Sequence, residues 1–207
     1  MTANRSSRTD ATELRIPPEV TSLRADQRER RQRIVDAAEQ LMATVDYERL
    51  QVKDVADEAG VALGTLYRYF NSKDHLFACA VQSWSQRFGD RIDAIPNGPT
   101  EGRVKAIYHR AARAFERQPR VYDVIMQIQT SKDPYASLVW REFAGQQSAA
   151  FGLALEGSRL SDERRADVTS VMSAVLDENL RGWQLGLQPL SAVYDAIDRA
   201  AGLIFSR

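Results

Sequence analysis

The chain is 207 residues long, 43% hydrophobic and 27% charged, enough for one globular domain of full size or two small ones. Its 28 lysines and arginines match 28 aspartates and glutamates, so no global positive field draws it to nucleic acid. Any such affinity must sit in a local patch. A single cysteine, Cys79, excludes an intrachain disulfide framework. No apolar run nears the ~20 residues of a membrane span, and the N-terminus lacks the apolar centre of a signal peptide. The expectation is a soluble cytoplasmic protein with no membrane partner.

Residues 1–23 carry polar tracts, a Pro17-Pro18 pair and the arginines Arg5, Arg8 and Arg15, without a sustained apolar period. They read as a disordered basic arm. In "QRERRQRIVDAAEQLMATV" the apolar residues Ile34, Ala37, Ala38, Leu41, Met42 and Val45 recur at three- and four-residue steps, which predicts an amphipathic helix. After the "DYERL" break comes a short helix, "VKDVADEA", stopped by Gly60, a residue suited to the left-handed conformation behind a helix. A third short helix runs to about Phe70. Asn71 or Ser72 then caps a fourth, which reaches to about Ile95, where "PNGP" ends it. Further helices are predicted near 100–118, 119–132, 135–157, 162–186 and 190–205, separated by Gln118-Pro119, Asp133-Pro134, the Gly157 to Ser161 stretch and Gln188-Pro189. No stretch alternates with period two. The class is all-α: a three-helix unit over 24–80 with a helix-turn-helix, then a larger helical bundle over 81–207.

Helix, glycine turn, helix is the geometry that places a second helix in a major groove. Val52, Val55 and Ala56 form the inner stripe of the first helix, and Leu66 and Phe70, with Leu63 close by, that of the second. Turning away from that face exposes Gly64, Thr65 and Arg68, with Tyr67 and Tyr69 on the flanks. Gly64 permits close approach, Thr65 suits a base edge or thymine methyl, and Arg68 suits guanine or phosphate. Tyrosine hydroxyls are good phosphate donors. Lys73, in the first turn of the fourth helix, and Lys53, opening the first helix of the pair, are placed to meet the backbone. Upstream, Arg24, Arg28, Arg30, Arg31 and Arg33 make a basic cluster that, with the arm, could follow a duplex.

These residues carry a resemblance. "RIVDAAEQLM" followed by "YERLQVKDVADEAGVALGTLYRYFNSKDHLF" resembles the DNA-binding domain of the TetR family of bacterial one-component transcription regulators, over about Arg28 to Ala80. The likeness implies a homodimeric repressor on a palindromic double-stranded operator, with Tyr67, Tyr69 and Lys73 at phosphate-contacting positions and Gly64, Thr65 and Arg68 facing the groove. Two positions depart from the pattern. Gln51 stands where a threonine or serine usually caps the helix, and "VDY" at Val45 to Tyr47 lacks the usual glycine, so that Asp46 would take a positive φ.

The resemblance further implies that the second half binds a small-molecule effector and dimerises. That half is rich in large apolar groups, most of them core: Trp84, Phe88, Tyr108, Phe115, Tyr122, Met126, Trp140, Phe143, Phe151, Met172 and Trp183. Phe88, Met126, Trp140 and Phe143, in the middle helices, are the candidates for an effector pocket. In the last two helices, Val168, Val171, Ala174, Val175, Leu176, Leu180, Trp183, Val193, Ile197, Ala200 and Ile204 recur at helical spacing. They fit either a four-helix contact between two chains or packing inside one. "RERRQRIVDA", "VALGTLYRYFNSKDHL" and "AVLDENLRGWQLG" are similar to actinobacterial TetR-type repressors of steroid and lipid breakdown, which implies a large apolar effector, sterol-like or an acyl-CoA.

Catalytic readings find little. His75 and Cys79 are four apart on one helix, but further metal ligands are lacking nearby, and the pair reads as a surface histidine and a buried thiol. There is no glycine-rich phosphate loop or nucleophile elbow, and Asp177-Glu178 point to different helix faces. No catalytic residue, metal or cofactor is expected. The alternative to a regulator is a helical ligand- or partner-binding module without sequence-specific DNA binding.

Overall fold

The computed structural model describes residues 20–87 in full, 88–89 in backbone, and 95–206 in full. Among them are nine α-helices and no strand. They are α1 (Ala25–Thr44), α2 (Val52–Glu58), α3 (Leu63–Leu66), α4 (Lys73–Gly89), α5 (Thr100–Arg117), α6 (Pro119–Gln129), α7 (Pro134–Gly152), α8 (Asp162–Gln184) and α9 (Leu190–Phe205). Most of the arm read from the sequence lies outside the described residues. Its last part does not: Val20–Ser22 forms a 3-10 turn, and Leu23 is buried in the core beside α1.

Local chemistry sets most helix ends. After α2, Gly60 adopts φ +64°, and Gly60 N–H donates to Asp57 O while Val61 N–H donates to Ala56 O at 2.9 Å. This double closure requires a residue free to be left-handed. Gln51 makes no side-chain cap on α2, as its amide is poorly shaped for the task. Ser72 Oγ accepts from His75 N at 2.9 Å and starts α4. Asp133 Oδ1 accepts from both Tyr135 N and Ala136 N at 2.8 Å and starts α7, with Pro134 in the first turn. Ser161 caps α8.

Several expectations need correction. Among the described residues only glycines have positive φ, so Asp46 does not replace the missing glycine in that way. Its carbonyl accepts from Arg49 and Leu50 N–H, and its carboxylate meets Arg120. Ile95 is not helical, and the residues between Gly89 and it lie outside the description. Helix α6 stops at Gln129, short of 132, because Ser131 and Asp133 are drawn into side-chain bonds ahead of Pro134. Helix α7 ends at Gly152 and passes into a 3-10 turn, Leu153–Leu155.

Two cores result. The first joins α1–α4 to the inner faces of α6 and α7, with Ile34, Met42, Val55, Leu66, Phe70, Leu76 and Phe77 fully buried. The second joins α5, α8 and α9, around Tyr108, Met172, Leu180, Val193 and Ile197. Each such large side chain contributes about 1.5–3 kcal/mol by leaving water. Helix α4 continues unbroken through residue 80 and packs on α1, α6 and α7, so the helix-turn-helix and the second half share a hydrophobic core. No helix among the described residues is long and apolar enough to cross a membrane.

Candidate functional site

The outward side of the helix-turn-helix is built by a very short helix. Past Leu66 the chain tightens: Arg68 N–H donates to Thr65 O, and Tyr69 N–H to Leu66 O, both three residues back. A three-residue step eclipses side chains, so Tyr69 lies over Leu66 and is carried inside, 7% exposed, with Phe70 beside it. Tyr69 therefore is not a flanking, open residue as the sequence reading had it. The 66, 69, 70 spacing was a usable sign of that. Leu63, expected near the inner stripe, is instead 40% exposed at the helix start. Lys53, Gly64 and Arg68 are exposed, Tyr67 is 43% exposed, and Thr65 is half-buried. A Cβ added at Gly64 would meet nothing within 4 Å, so no internal contact requires glycine there.

Lys73 is turned toward the protein. Its Nζ donates to Tyr47 O at 2.5 Å and lies 3.9 Å from the centre of the Tyr47 ring. Burial lowers its pKa. The sequence reading left this ammonium free for phosphate, whereas the structure gives it a carbonyl and an aromatic face. Tyr47 Oη in turn donates to Asp74 Oδ1 at 2.5 Å, and Ser131 Oγ, from the loop after α6, donates to Asp74 Oδ2 at 2.5 Å. Nearby, Arg120 Nε on α6 reaches Asp46 Oδ1 at 3.0 Å, and Trp84 Nε1 on α4 donates to Gln118 Oε1 at 2.5 Å. The segment leading into α2 and both ends of α6 are thus tied by polar bonds.

His75 is buried, not at the surface. Its ring packs between Phe70 and Tyr135, with centroids 5.6 Å from each, and Nδ1 accepts from Asn71 N–H at 3.2 Å. Burial drives its pKa down to about 4, against a smaller upward pull from Asp133. Cys79 Sγ accepts from Arg31 at 3.3 Å, and burial raises the thiol's pKa. Among the described residues no group of three or more His, Cys, Asp or Glu is arranged to hold a metal ion.

A cavity of about 540 Å³ lies at the seam between the two cores, walled by α4, α5, α6, α7 and α8. Its aromatic wall contains Trp84, Phe115, Tyr122, Trp140, Phe143 and Phe151. Neighbouring rings touch: Trp140 and Phe143 centroids are 5.0 Å apart, Trp84 and Phe115 5.3 Å. Of the four pocket candidates, Trp140 and Phe143 line this space. Met126 does not: it packs half-buried against the second core, at the edge of the cavity-lining face of α6. The side chain of Phe88 lies outside the described residues. The sequence reading missed Arg110, Arg113 and Arg117, which follow one stripe of α5 at three- and four-residue steps and line the cavity. That spacing of arginines on an otherwise amphipathic helix was the available signal. It missed Asp177 as well. Tyr122 Oη donates to Asp177 Oδ1 at 2.8 Å, Gln129 Nε2 reaches the same oxygen at 3.4 Å, and Arg181 donates to Oδ2 at 3.1 Å.

The apolar stripe of the last two helices divides. Val168, Leu176, Leu180, Val193 and Ile197 are buried within the chain, while Val175, Trp183, Ala200 and Ile204 are half-buried. Val171 and Ala174 face outward on α8, and Leu203 is 79% exposed on α9.

Comparison with known proteins places this arrangement. Residues 34–80 match the family described as bacterial regulatory proteins, tetR family. The HTH-type transcriptional repressor KstR of Rhodococcus jostii (strain RHA1) is 32% identical over 157 residues, which is 76% of this chain and 74% of that protein. Among solved structures, a TetR transcriptional regulator from Rhodococcus sp. RHA1 superposes with a TM-score of 0.72 at 27% identity, covering 88% of this chain and 98% of the other. The fold is also that of the transcriptional regulator FadR from Bacillus subtilis in complex with stearoyl-CoA, with a TM-score of 0.66 at 18% identity over 84% of this chain and 97% of that one.

Proposed function

The chain belongs to the TetR family of bacterial regulatory proteins, in the branch of the KstR repressors, and from that premise we propose how this helix-turn-helix transcriptional repressor works: as an operator-binding homodimer released by a large, apolar, anionic effector. The alternative of a helical module without DNA recognition is not favoured, since the relatives are named as transcriptional repressors. Thr65 and Arg68 read base edges, Tyr67 and Lys53 meet phosphates, and Gly64 lets the duplex close on α3. The open space over Gly64 supports this, because nothing inside the protein asks for a glycine there. Tyr69 and Lys73 act from within, holding α3 and the start of α4 in place. Two chains pair through the outward Val171, Ala174 and Leu203, which sets the two copies of α3 on one operator.

One observation carries the effector reading: the cavity shares a wall with α4, through Trp84 and Ser85, and α4 begins at the helix-turn-helix. A molecule seated there touches the helix that holds the DNA-reading unit. The size suits a drug-sized or lipid-sized ligand. Its aromatic lining favours an apolar body, and the three α5 arginines favour an anionic group such as a carboxylate or the phosphates of a CoA thioester. The stearoyl-CoA held by the FadR structure shows that the same fold can take such a molecule. Release requires that the effector bind the two poses of α4 unequally, by roughly 1–3 kcal/mol in typical cases.

The test is fluorescence anisotropy of the purified protein on its own upstream intergenic DNA, with random duplex as competitor across a salt series. Two chains per site, selectivity over random duplex and loss of binding on adding stearoyl-CoA are expected. Arg68→Ala should cost about 1–3 kcal/mol and relax sequence preference, whereas Lys53→Ala should weaken all sequences alike and lower the salt slope by about one. Binding no tighter than to random duplex, with or without ligand, would overturn the assignment of these residues.

A further inference from the structure

We infer that Tyr122 and Asp177 form a selectivity site within the cavity, one that favours effectors whose apolar skeleton carries a hydroxyl group over effectors without one. This rests on the reading of the cavity as the effector site and adds the chemical class.

Tyr122 is 2% exposed and its hydroxyl donates to the Asp177 carbonyl at 2.7 Å and to Asp177 Oδ1 at 2.8 Å. Burial, reinforced by the adjacent carboxylate, raises the phenol's pKa far above its ordinary value, so it keeps that proton. With its only proton committed, the Tyr122 oxygen is an acceptor alone, and Arg181 already takes up part of that capacity. Asp177 is also an acceptor. A carboxylate offers about four lone-pair positions; on Oδ1 two are taken by Tyr122 and Gln129, and on Oδ2 one is taken by Arg181. One position on Oδ2 is left. Both residues line the cavity, and the Asp177 side chain retains 39% of its surface.

The wall also carries Ser85, Gln129, Gln147, Ser148, Ser170 and Ser173, which can donate as well as accept; the Tyr122–Asp177 patch differs in that its spare capacity is for accepting hydrogen bonds. A ligand hydroxyl satisfies it. An unsubstituted hydrocarbon chain laid across it strips water from the carboxylate and returns nothing, which is a penalty. A second carboxylate at that point can accept from neither Tyr122 nor Asp177 and meets the Asp177 charge, which Arg181 offsets in part. The patch is on α6 and α8, whereas the arginines that line the cavity are on α5, so the two recognise different parts of one molecule: an acid or its CoA thioester, hydroxylated on its carbon skeleton.

The probes are stearate and stearoyl-CoA, each beside a panel of monohydroxylated counterparts that differ in hydroxyl position. Titration of the full-length protein is followed by tryptophan fluorescence, since Trp84 and Trp140 line the cavity, and by calorimetry. At least one hydroxylated member should bind about tenfold tighter than its plain counterpart, the worth of one added hydrogen bond. In Asp177→Asn and in the double variant Tyr122→Phe/Asp177→Asn that ratio should fall toward one. The ratio is taken within each variant, so a general loss of stability does not imitate the effect, and either variant alone suffices if the other folds poorly. Equal binding of plain and hydroxylated probes to the unaltered protein would overturn the inference and leave the effector reading standing. So would a preference that survives both substitutions. If no probe of either kind enters, the effector reading falls and this inference with it.

Discussion

The two ends of this molecule use their apolar residues in opposite ways. Around the helix-turn-helix, Leu66, Phe70, Leu76 and Phe77 are completely shielded, and the short α3 is held by packing beneath it. At the seam with the second core, residues as large as Trp84, Phe143 and Phe151 face about 540 Å³ of open volume. One end must present a few side chains to an outside partner without yielding. On the function proposed above, the other keeps a space that a ligand can fill. Close packing serves the first, because interiors near crystal density transmit strain instead of absorbing it. The second accepts missing contacts, which leaves stability to be regained when a ligand supplies them.

Two phenylalanines put this difference to its most severe test. Phe70→Ala removes a fully buried ring from the solid end and should cost about 3–5 kcal/mol in chemical denaturation, near the total stability of many domains. Phe143→Ala removes a ring that already faces the cavity on one side, so fewer contacts are lost and the cost should be clearly smaller. Equal losses would mean that the seam is as tightly supported as the helix-turn-helix. The two ends would then not differ in packing.

His75 gives the next largest effect, and it belongs to the solid end. Folded, its pKa is pushed down to about 4 by burial; unfolded, it returns to about 6.5. Between those values the unfolded chain takes up a proton that the folded one refuses, so stability falls as pH drops through the window from about 6.5 to about 4. The loss is on the order of 3 kcal/mol. Denaturation series at pH 7, 5.5 and 4.5 should show a shallower pH slope for His75→Phe than for the unaltered chain. Carboxylates contribute to both slopes equally. Parallel slopes would mean that water reaches the imidazole.

How far the sequence disclosed all this depends on the range of the forces involved. Helix ends were legible because they are local: Gly60, Pro119, Pro134 and Ser161 act on their own neighbours, and the observed ends lie within a few residues of those read from the chain. The helix-turn-helix was legible for the same reason, since its turn and both inner stripes occupy under twenty consecutive residues. Tyr69 was misplaced because a switch from α to 3-10 spacing over one turn moves a side chain from flank to core. His75 was misplaced because the ring covering it, Tyr135, comes sixty residues later. The cavity is the extreme case. Five helices wall it, and whether Met126 or Tyr122 faces inward is decided by how α6 is rotated against partners distant in sequence.

The smallest effect concerns the tie between the two ends. Arg120 and Asp46 meet at 3.0 Å, with side chains 44% and 59% exposed, and an exposed pair of this kind is worth about 0.2–1 kcal/mol. Arg120→Ala should therefore shift the melting temperature by no more than a few degrees, and the shift should shrink as salt is added. The burden of joining α6 to the loop before α2 would then rest on the half-buried Ser131–Asp74–Tyr47 bonds, which water screens less. Ser131→Ala, measured in the same melts, should exceed Arg120→Ala in effect, because it leaves an Asp74 oxygen without its donor in a partly buried site. The reverse order would place the mechanical link at the surface pair, and the solid end would then begin at α6 instead of at α4.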